Sequence, residues 1–327
     1  MHMIKGAPVR LPTPLITIGI TCFNAEETVR RAVLSALHQT WTNFEIIVVD
    51  DRSTDSSWIV LEALRVTHPE LRLIRHEANR GYPSALNTIV GAAKGEFIAF
   101  FDDDDESHPE RLIRQWERLN KYQRRHPAHS VFCYCNREVV PAGEDMPTAI
   151  TLAIGRTDPE PHGIAVSDFL LSLIEAPPFV WGQFGSCTLM TRCAALKALG
   201  GFDEAFRRCA EWDMAVRAGF SGAHFIAVDE PLVRQHLTAG FGAEKSGKAP
   251  LRYALALRHK HSDYLKRQGI YASALAQAYA RYHYARGEQW RSRLYTIIAC
   301  SLSPTRLLPK FLAQRRRARV TACRAQA

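Results

Sequence analysis

The 327-residue sequence predicts an α/β fold with a Rossmann-like, mostly parallel sheet, helices on both faces and a basic helical extension at the C-terminal end. Three observations carry this. Short β-branched and aromatic runs alternate with helical stretches of about a dozen residues, the pattern of βαβ units. Several runs end in acids or other polar groups, and in open sheets of this kind ligands bind beyond the carboxyl ends of the strands. From residue 251 onward basic helical patterns replace strand patterns.

Ile16 to Ile20 is the first expected strand, and Thr28 to Gln39 a helix with Val29, Val33, Ala36 and Leu37 on one face. Glu45 to Val49 is a second strand ending in Asp50 and Asp51, and Ser53 and Asp55 offer N-cap oxygens for a helix over Ser56 to Val66. Leu71 to Arg75 is a third strand, and Asn79-Arg80-Gly81 introduces a helix over Tyr82 to Ala93. The fourth strand, Phe97-Ile98-Ala99-Phe100-Phe101, runs directly into Asp102, Asp103, Asp104 and Asp105. Parallel strands joined by helices require right-handed crossovers, so Thr21 and Asn24, Asp50 and Asp51, and the four aspartates should converge on one crevice. Four like charges this close repel one another. A hard divalent cation, which takes oxygen ligands, is the natural counter-charge; a solvated turn capping the helix near Pro109 is the plain alternative.

In order, Ile18 to Asn24, Val48 to Asp55, Asn79-Arg80-Gly81, Gly95 to Asp105 and Gly200-Gly201-Phe202-Asp203-Glu204 resemble the successive motifs of family 2 glycosyltransferases. The resemblance spans residues 14 to 236. It implies a GT-A fold and inverting transfer of a sugar from a nucleoside diphosphate donor to an acceptor hydroxyl, with Mn or Mg as cofactor. By position, Thr21, Phe23 and Asp51 look like the nucleobase site, with the Phe23 ring near the base and the Asp51 carboxylate accepting its N–H, and Asn24 belongs to the wider nucleotide-sugar site. A ring N–H favours uracil over cytosine, which lacks that donor. Asp50 either joins the nucleotide site or accepts backbone N–H groups in its own turn. Asp102 and Asp104 match the family's two-apart metal acids, Asp104 as direct ligand, and Asp103 matches the ribose contact. Asp105 either binds water on the metal or caps the Pro109 helix, and the cap is the favoured reading.

Displacement at the anomeric carbon needs a base for the acceptor's proton. The family places it as the second acid of a Glu-Asp pair, where this chain has Ala210-Glu211-Trp212-Asp213. The resemblance therefore puts Glu211 in the base position and Ala210 in place of the preceding acid, with Asp213 as the alternative base. His236 is either a metal or diphosphate ligand or an ordinary hydrogen-bonded histidine. Relatives often carry Arg where this chain has Leu86, and Arg80 is the candidate replacement. Residues 158 to 191, with a short helix over Val166 to Ile174 and aromatics from Pro177 to Phe184, are read as the acceptor side or as ordinary core.

The expected organisation is an N-terminal extension over 1–13, a catalytic domain over 14–240 (nucleotide-sugar half 14–125, acceptor half 126–240) and a basic helical region over 241–327. Helices are expected over Leu251 to Leu265, Tyr271 to Tyr284 and Trp290 to Leu302, ahead of Arg315-Arg316-Arg317-Ala318-Arg319. Residues 251–327 hold 16 Lys and Arg against two acids, whereas the preceding 250 are mildly acidic. That asymmetry suits an anionic membrane surface or a solvated helical cap; no nucleic-acid module accompanies it. With no apolar leader and no run of about 18 apolar residues, a cytoplasmic protein, peripheral on the inner face of the membrane, is expected. The eight cysteines show no zinc-type pair and read as reduced thiols. The expected partners are a nucleotide-sugar donor and a glycan or lipid-linked acceptor. A catalytically silent nucleotide-sugar binder is the competing reading. A nucleotidyltransferase would need a glycine-rich loop, and Thr21 to Thr28 contains no glycine.

Overall fold

Side chains that alternate with period two give each strand two apolar faces, so both faces of the sheet demand cover. The computed structural model describes residues 13–172, 178–237 and 247–307. β1 (Ile16–Cys22), β2 (Phe44–Asp50), β3 (Leu71–Arg75) and β4 (Phe97–Asp102) lie parallel in the order β3-β2-β1-β4. Along β4, Phe97, Ala99 and Phe101 enter one core while Ile98 and Phe100 enter the other. The first core is closed by α1 (Val29–Leu37), α2 (Ser57–Thr67) and α4 (Arg111–Arg125). The second is closed by α3 (Tyr82–Ala92), α5 (Ile164–Ser172), α6 (Cys193–Ala198) and α7 (Ala210–Phe220). Ile174 and Pro177 lie outside the described residues.

Beyond β4 the sheet becomes mixed. β8 (Met190–Arg192) runs antiparallel between β4 and β6 (Val131–Val140), and β9 (His224–His236) lies parallel to β6. β5 (Glu106–Ser107) adds to β9, and β7 (Ala149–Thr151) to the far end of β6. The antiparallel ladders are short and the long ladders are parallel.

The C-terminal part is integrated rather than appended. The helix expected over Leu251 to Leu265 breaks at His261 into α8 (Ala249–Lys260) and α9 (Ser262–Arg267), because His261 turns its ring to Asp213 on α7. Tyr253, Leu257, Leu265, Ile270 and Ala274 join the second core, which draws α10 (Tyr271–Ala285) onto the domain. α11 (Gln289–Leu302) packs against α10. The arginine run 315–319 lies outside the described residues. The seven described cysteines are free.

Two glycines separate backbone strain from steric overlap. Gly155 and Gly143 share φ +79°, but a Cβ at Gly155 would meet the Phe225 carbonyl at 2.1 Å and one at Gly143 meets nothing within 4 Å. Gly143→Ala should cost about 1 kcal/mol for the left-handed backbone, and Gly155→Ala clearly more. Equal losses in denaturant midpoint would show that the Phe225 contact is relaxed cheaply.

Candidate active site

The parallel register sets the crevice. Thr21 stands opposite Asp102, and Cys22 opposite Asp50, so three polar strand ends lie side by side. The loops that follow are tied together by short side chains. Asn24 adopts φ 52°, gives its N–H to Ser53 Oγ (3.0 Å) and accepts the Thr54 N–H (2.8 Å). Ser53 is thereby used, and Asp55 takes the Ser57 N–H at the start of α2 (3.0 Å). Asp50, fully buried, accepts from Arg75 Nε (3.0 Å) and from the Ser53 N–H.

Asp51 is the most heavily used of these acids. Its carboxylate lies 2.6 Å from His76 Nδ1 and accepts the Arg80 N–H (2.9 Å) and the Gly81 N–H (2.7 Å), which fixes the 76–81 loop over the strand ends. The Arg80 guanidinium reaches Glu204 at 3.4 Å and so tethers the Gly200–Glu204 loop. Leu86 is core.

The aspartate run behaves differently. Asp103 accepts the Phe23 N–H (2.9 Å), holding an aromatic ring that is 46% exposed at the crevice mouth. The Asp104 carbonyl accepts from Arg31 (2.5 Å). Asp105 takes the His236 N–H (3.2 Å) through one oxygen, while its other oxygen is buried with no hydrogen-bond partner. It therefore does not cap α4, as the sequence suggested. The His236 ring is drawn to Glu106 (2.9 Å). Asp102, Asp105 and Cys187 offer ligand atoms within 4.8 Å of one another, the one such group among the described residues. Asp104 and His236, expected as metal ligands beside Asp102, are not members of this group; Asp105 turns inward next to Asp102, and the His236 ring is held by Glu106.

Positive charge comes from below. Arg111 is fully buried, donates to Gln115, Ser107 and the Phe100 carbonyl at 2.9–3.1 Å, and lies 4.4 Å from the Phe101 ring centre. Arg137 reaches Cys187 Sγ at 3.3 Å. They do not neutralise the cluster. Burial, with the charges of Asp104 and Glu211, pushes Asp102 up to about 7. Burial and Asp104 push Asp103 up to about 8; burial with Asp102 and Asp104 pushes Asp105 up to about 9. Low dielectric and like charge act in the same direction here.

Glu211 and Asp213 sit in the first turn of α7 with opposite surroundings. Asp213 is fully buried, with Arg217 Nε at 2.8 Å, Lys260 Nζ at 2.7 Å and His261 Nε2 at 3.2 Å. Burial would raise its pKa, but His261, Lys260 and Arg217 together hold it well below the usual carboxylate range. The Glu211 carboxylate has no side-chain partner among the described residues and accepts only from its own backbone N–H, and burial raises its pKa. Tyr82, hydrogen-bonded to Ser186, lies 3.5 Å from Asp102 and feels the charges of both Asp102 and Glu211. On the other wall Trp181 stacks on Phe169 at 4.2 Å, while Phe184 is buried in the core.

Arg111, Arg137, Cys187, Tyr82 and His76 are additions to the residues singled out by sequence. Arg111 alone left a signal, since arginine in the first turn of a helix opposes the helix dipole and needs an acidic neighbour.

Solved structures with this fold include S. aureus TarS 1–349 in complex with UDP-GlcNAc (TM-score 0.57, 17% identity, 88% of this chain and 81% of that one). The mannosyltransferase PcManGT from Pyrobaculum calidifontis, in complex with GDP-Man and Mn2+, gives TM-score 0.56 at 16% identity over 94% and 81% of the two chains. At these identities the likeness is one of fold. The amylovoran biosynthesis glycosyltransferase AmsB of Erwinia amylovora is 21% identical over 257 residues, 78% of this chain and 80% of that protein. The succinoglycan biosynthesis protein ExoO of Rhizobium meliloti is 40% identical over 107 residues, which is 33% of this chain but 30% of its own length. Fold and sequence together define a glycosyltransferase. Residues 17–142 of the chain match the model of Glycosyl transferase family 2.

Two outcomes test this site. Asp213→Asn should lower stability by about 3 kcal/mol, because it strands buried cations; a denaturation midpoint equal to the parent's would show the ion pairs to be idle. The raised carboxylates of Asp102, Asp103 and Asp105 favour the folded state fully only below their ordinary value of 3.8, and this contribution is lost as pH rises through about 7, 8 and 9. In chelator, the denaturation midpoint should fall between pH 6 and about 9, less steeply in Asp105→Asn. A parallel fall in both proteins would remove Asp105 from the linkage.

Proposed function

We propose that the chain is a metal-dependent, inverting glycosyltransferase that moves a sugar from a nucleoside diphosphate sugar, with UDP as carrier, to a hydroxyl of a growing polysaccharide or glycoconjugate. One observation carries the reading: Glu211 is a part-buried carboxylate with no side-chain partner among the described residues, its pKa raised by burial, in the same crevice as the crowded aspartates. An acid so placed is poised to take a proton. Asp213, held ionised by Arg217 and Lys260 and hydrogen-bonded to His261, is a poor base and serves α7 instead.

The Phe23 ring offers a face to the nucleobase. With three donors on its carboxylate, Asp51 retains one acceptor site for a base N–H, which supports uracil. Asp103 is assigned to the ribose. Asp102 with Asp104 or Asp105 would hold the divalent cation, a fit supported by the mutual repulsion of the acids and by the unpartnered buried oxygen of Asp105. When bound, that cation supplies positive charge to the leaving diphosphate. Glu211 takes the acceptor hydroxyl's proton as its oxygen bonds the anomeric carbon from the far side, and the bond to the diphosphate breaks with its electron pair on the phosphate. The proton then leaves Glu211 for solvent. Arg137, beside Cys187 and the acids, adds fixed positive charge to the crevice.

The names of AmsB and ExoO, in amylovoran and succinoglycan biosynthesis, support a polysaccharide acceptor. The bound UDP-GlcNAc and GDP-Man of the two structural neighbours support a nucleotide-sugar donor. Ala210 motivates a silent binder, yet it is fully buried in the α7 packing, so its lost charge is accounted for by core.

Calorimetric titration with UDP, CDP and GDP, with and without Mn2+, should give metal-dependent preference for UDP; no nucleotide binding would leave only the fold. Glu211→Gln should bind donor normally and lower turnover by about 10² or more. Near-parental turnover in that variant would dismiss Glu211 as base.

A further inference from the structure

α11 presents an apolar face with nothing covering it among the described residues. Its inner side, Ser292 and Ala299, is buried, and Tyr295 stacks on Tyr279 of α10 at 4.9 Å. On the outer side Trp290, Leu294, Ile297, Ile298 and Leu302 are 66, 46, 63, 38 and 49% exposed. These positions recur at i, i+4, i+7, i+8 and i+12, one stripe along a helix. Of the 16 large apolar residues exposed among the described residues, five lie on this helix of 14, so the exposure is concentrated rather than scattered.

The charge around the stripe has one sign. Arg291 and Arg293 lie on α11 and Arg306 just beyond it. From Gln289 to Ala327 the sequence holds nine Lys and Arg and no acid. The last acid, Glu288, is already taken by His283, Arg286 and Arg291. An apolar stripe flanked by arginines, of which only Arg291 meets an acid, matches a surface that is oily within and negative at its face. At about 21 Å, α11 is too short to span a bilayer but long enough to lie in its interface. No helix of the described residues is long and apolar enough to cross a membrane.

We infer that α11 docks the protein on an anionic lipid surface, with Trp290, Leu294, Ile297, Ile298 and Leu302 entering the acyl boundary and the arginines meeting the headgroups. The inference is independent of the donor and base assignments. It concerns α11 specifically, because α8 to α10 turn their apolar residues into the core.

The test is co-sedimentation of the full chain with vesicles of phosphatidylglycerol mixed with phosphatidylcholine, against phosphatidylcholine alone. The parent should bind the mixed vesicles and release as salt rises. The double variant L294S/I297S should bind at least about tenfold more weakly, with an unchanged denaturation midpoint because both side chains are already in water. Substituting Arg291 and Arg293 by Gln should weaken binding and flatten its salt dependence. Parental binding by L294S/I297S overturns the inference, as does loss of binding only when the arginines of 315–319 are replaced. A dimer in sedimentation velocity that L294S/I297S converts to monomer, without vesicle binding by the parent, would assign the stripe to a second copy instead.

Discussion

Carboxylates crowded at the end of one buried strand impose a charge problem that organises the crevice around it. β4 is apolar on both faces and emerges between two cores, so Asp102 to Asp105 appear where water is scarce and like charges interact strongly. Arg111 answers from beneath, and a fully buried guanidinium is tolerable because three acceptors and an aromatic face receive it. Arg137 answers from β6. The acids nevertheless stay well above the ordinary carboxylate range, which means the crevice remains short of positive charge as built.

The other acids of the crevice show what a satisfied carboxylate looks like. Asp50, Asp51, Asp55 and Asp213 each accept two or more donors, and each fastens a loop or helix in place. Donor count therefore separates two kinds of acid. Those fully paired hold geometry; Asp105, with an unpartnered buried oxygen, and Glu211, with no side-chain partner among the described residues, retain the capacity to bind or to accept a proton.

The parallel half of the sheet was legible because its signals are local. Alternating apolar residues gave β1 to β4 nearly to the residue, and a helix period gave α1 to α3. The short antiparallel strands β5, β7 and β8 carry too few residues to show a period, and their pairing depends on partners distant in the chain. Acid positions were legible as chemistry, but their division of labour was not. Whether an aspartate is a bolt or a reactive group depends on donors such as His76, Lys260 and Arg217, and sequence proximity does not reveal which of them arrive. Cys187 illustrates the same gap: a lone buried thiol carries no mark of the carboxylates beside it.

Asp213 links the catalytic crevice to the C-terminal helices, and this changes how the extension should be understood. Glu211 lies two residues earlier in the same helix turn, so whatever fixes α7 fixes the orientation of Glu211. The helix N-terminus favours an ionised acid at both positions. For Asp213 the hydrogen bond with His261 and the cations Lys260 of α8 and Arg217 of α7 reinforce that preference; for Glu211 burial outweighs it. Lys260 also bonds Asp203 (2.7 Å) in the Gly200–Glu204 loop, and Tyr264 bonds Asp168 on α5 (2.6 Å). The basic residues of α8 and α9 are therefore spent on internal acids, and helices that looked like an appendage serve as the clamp behind Glu211. The positive charge left uncommitted lies further along the chain, where α11 has only one side turned to the protein.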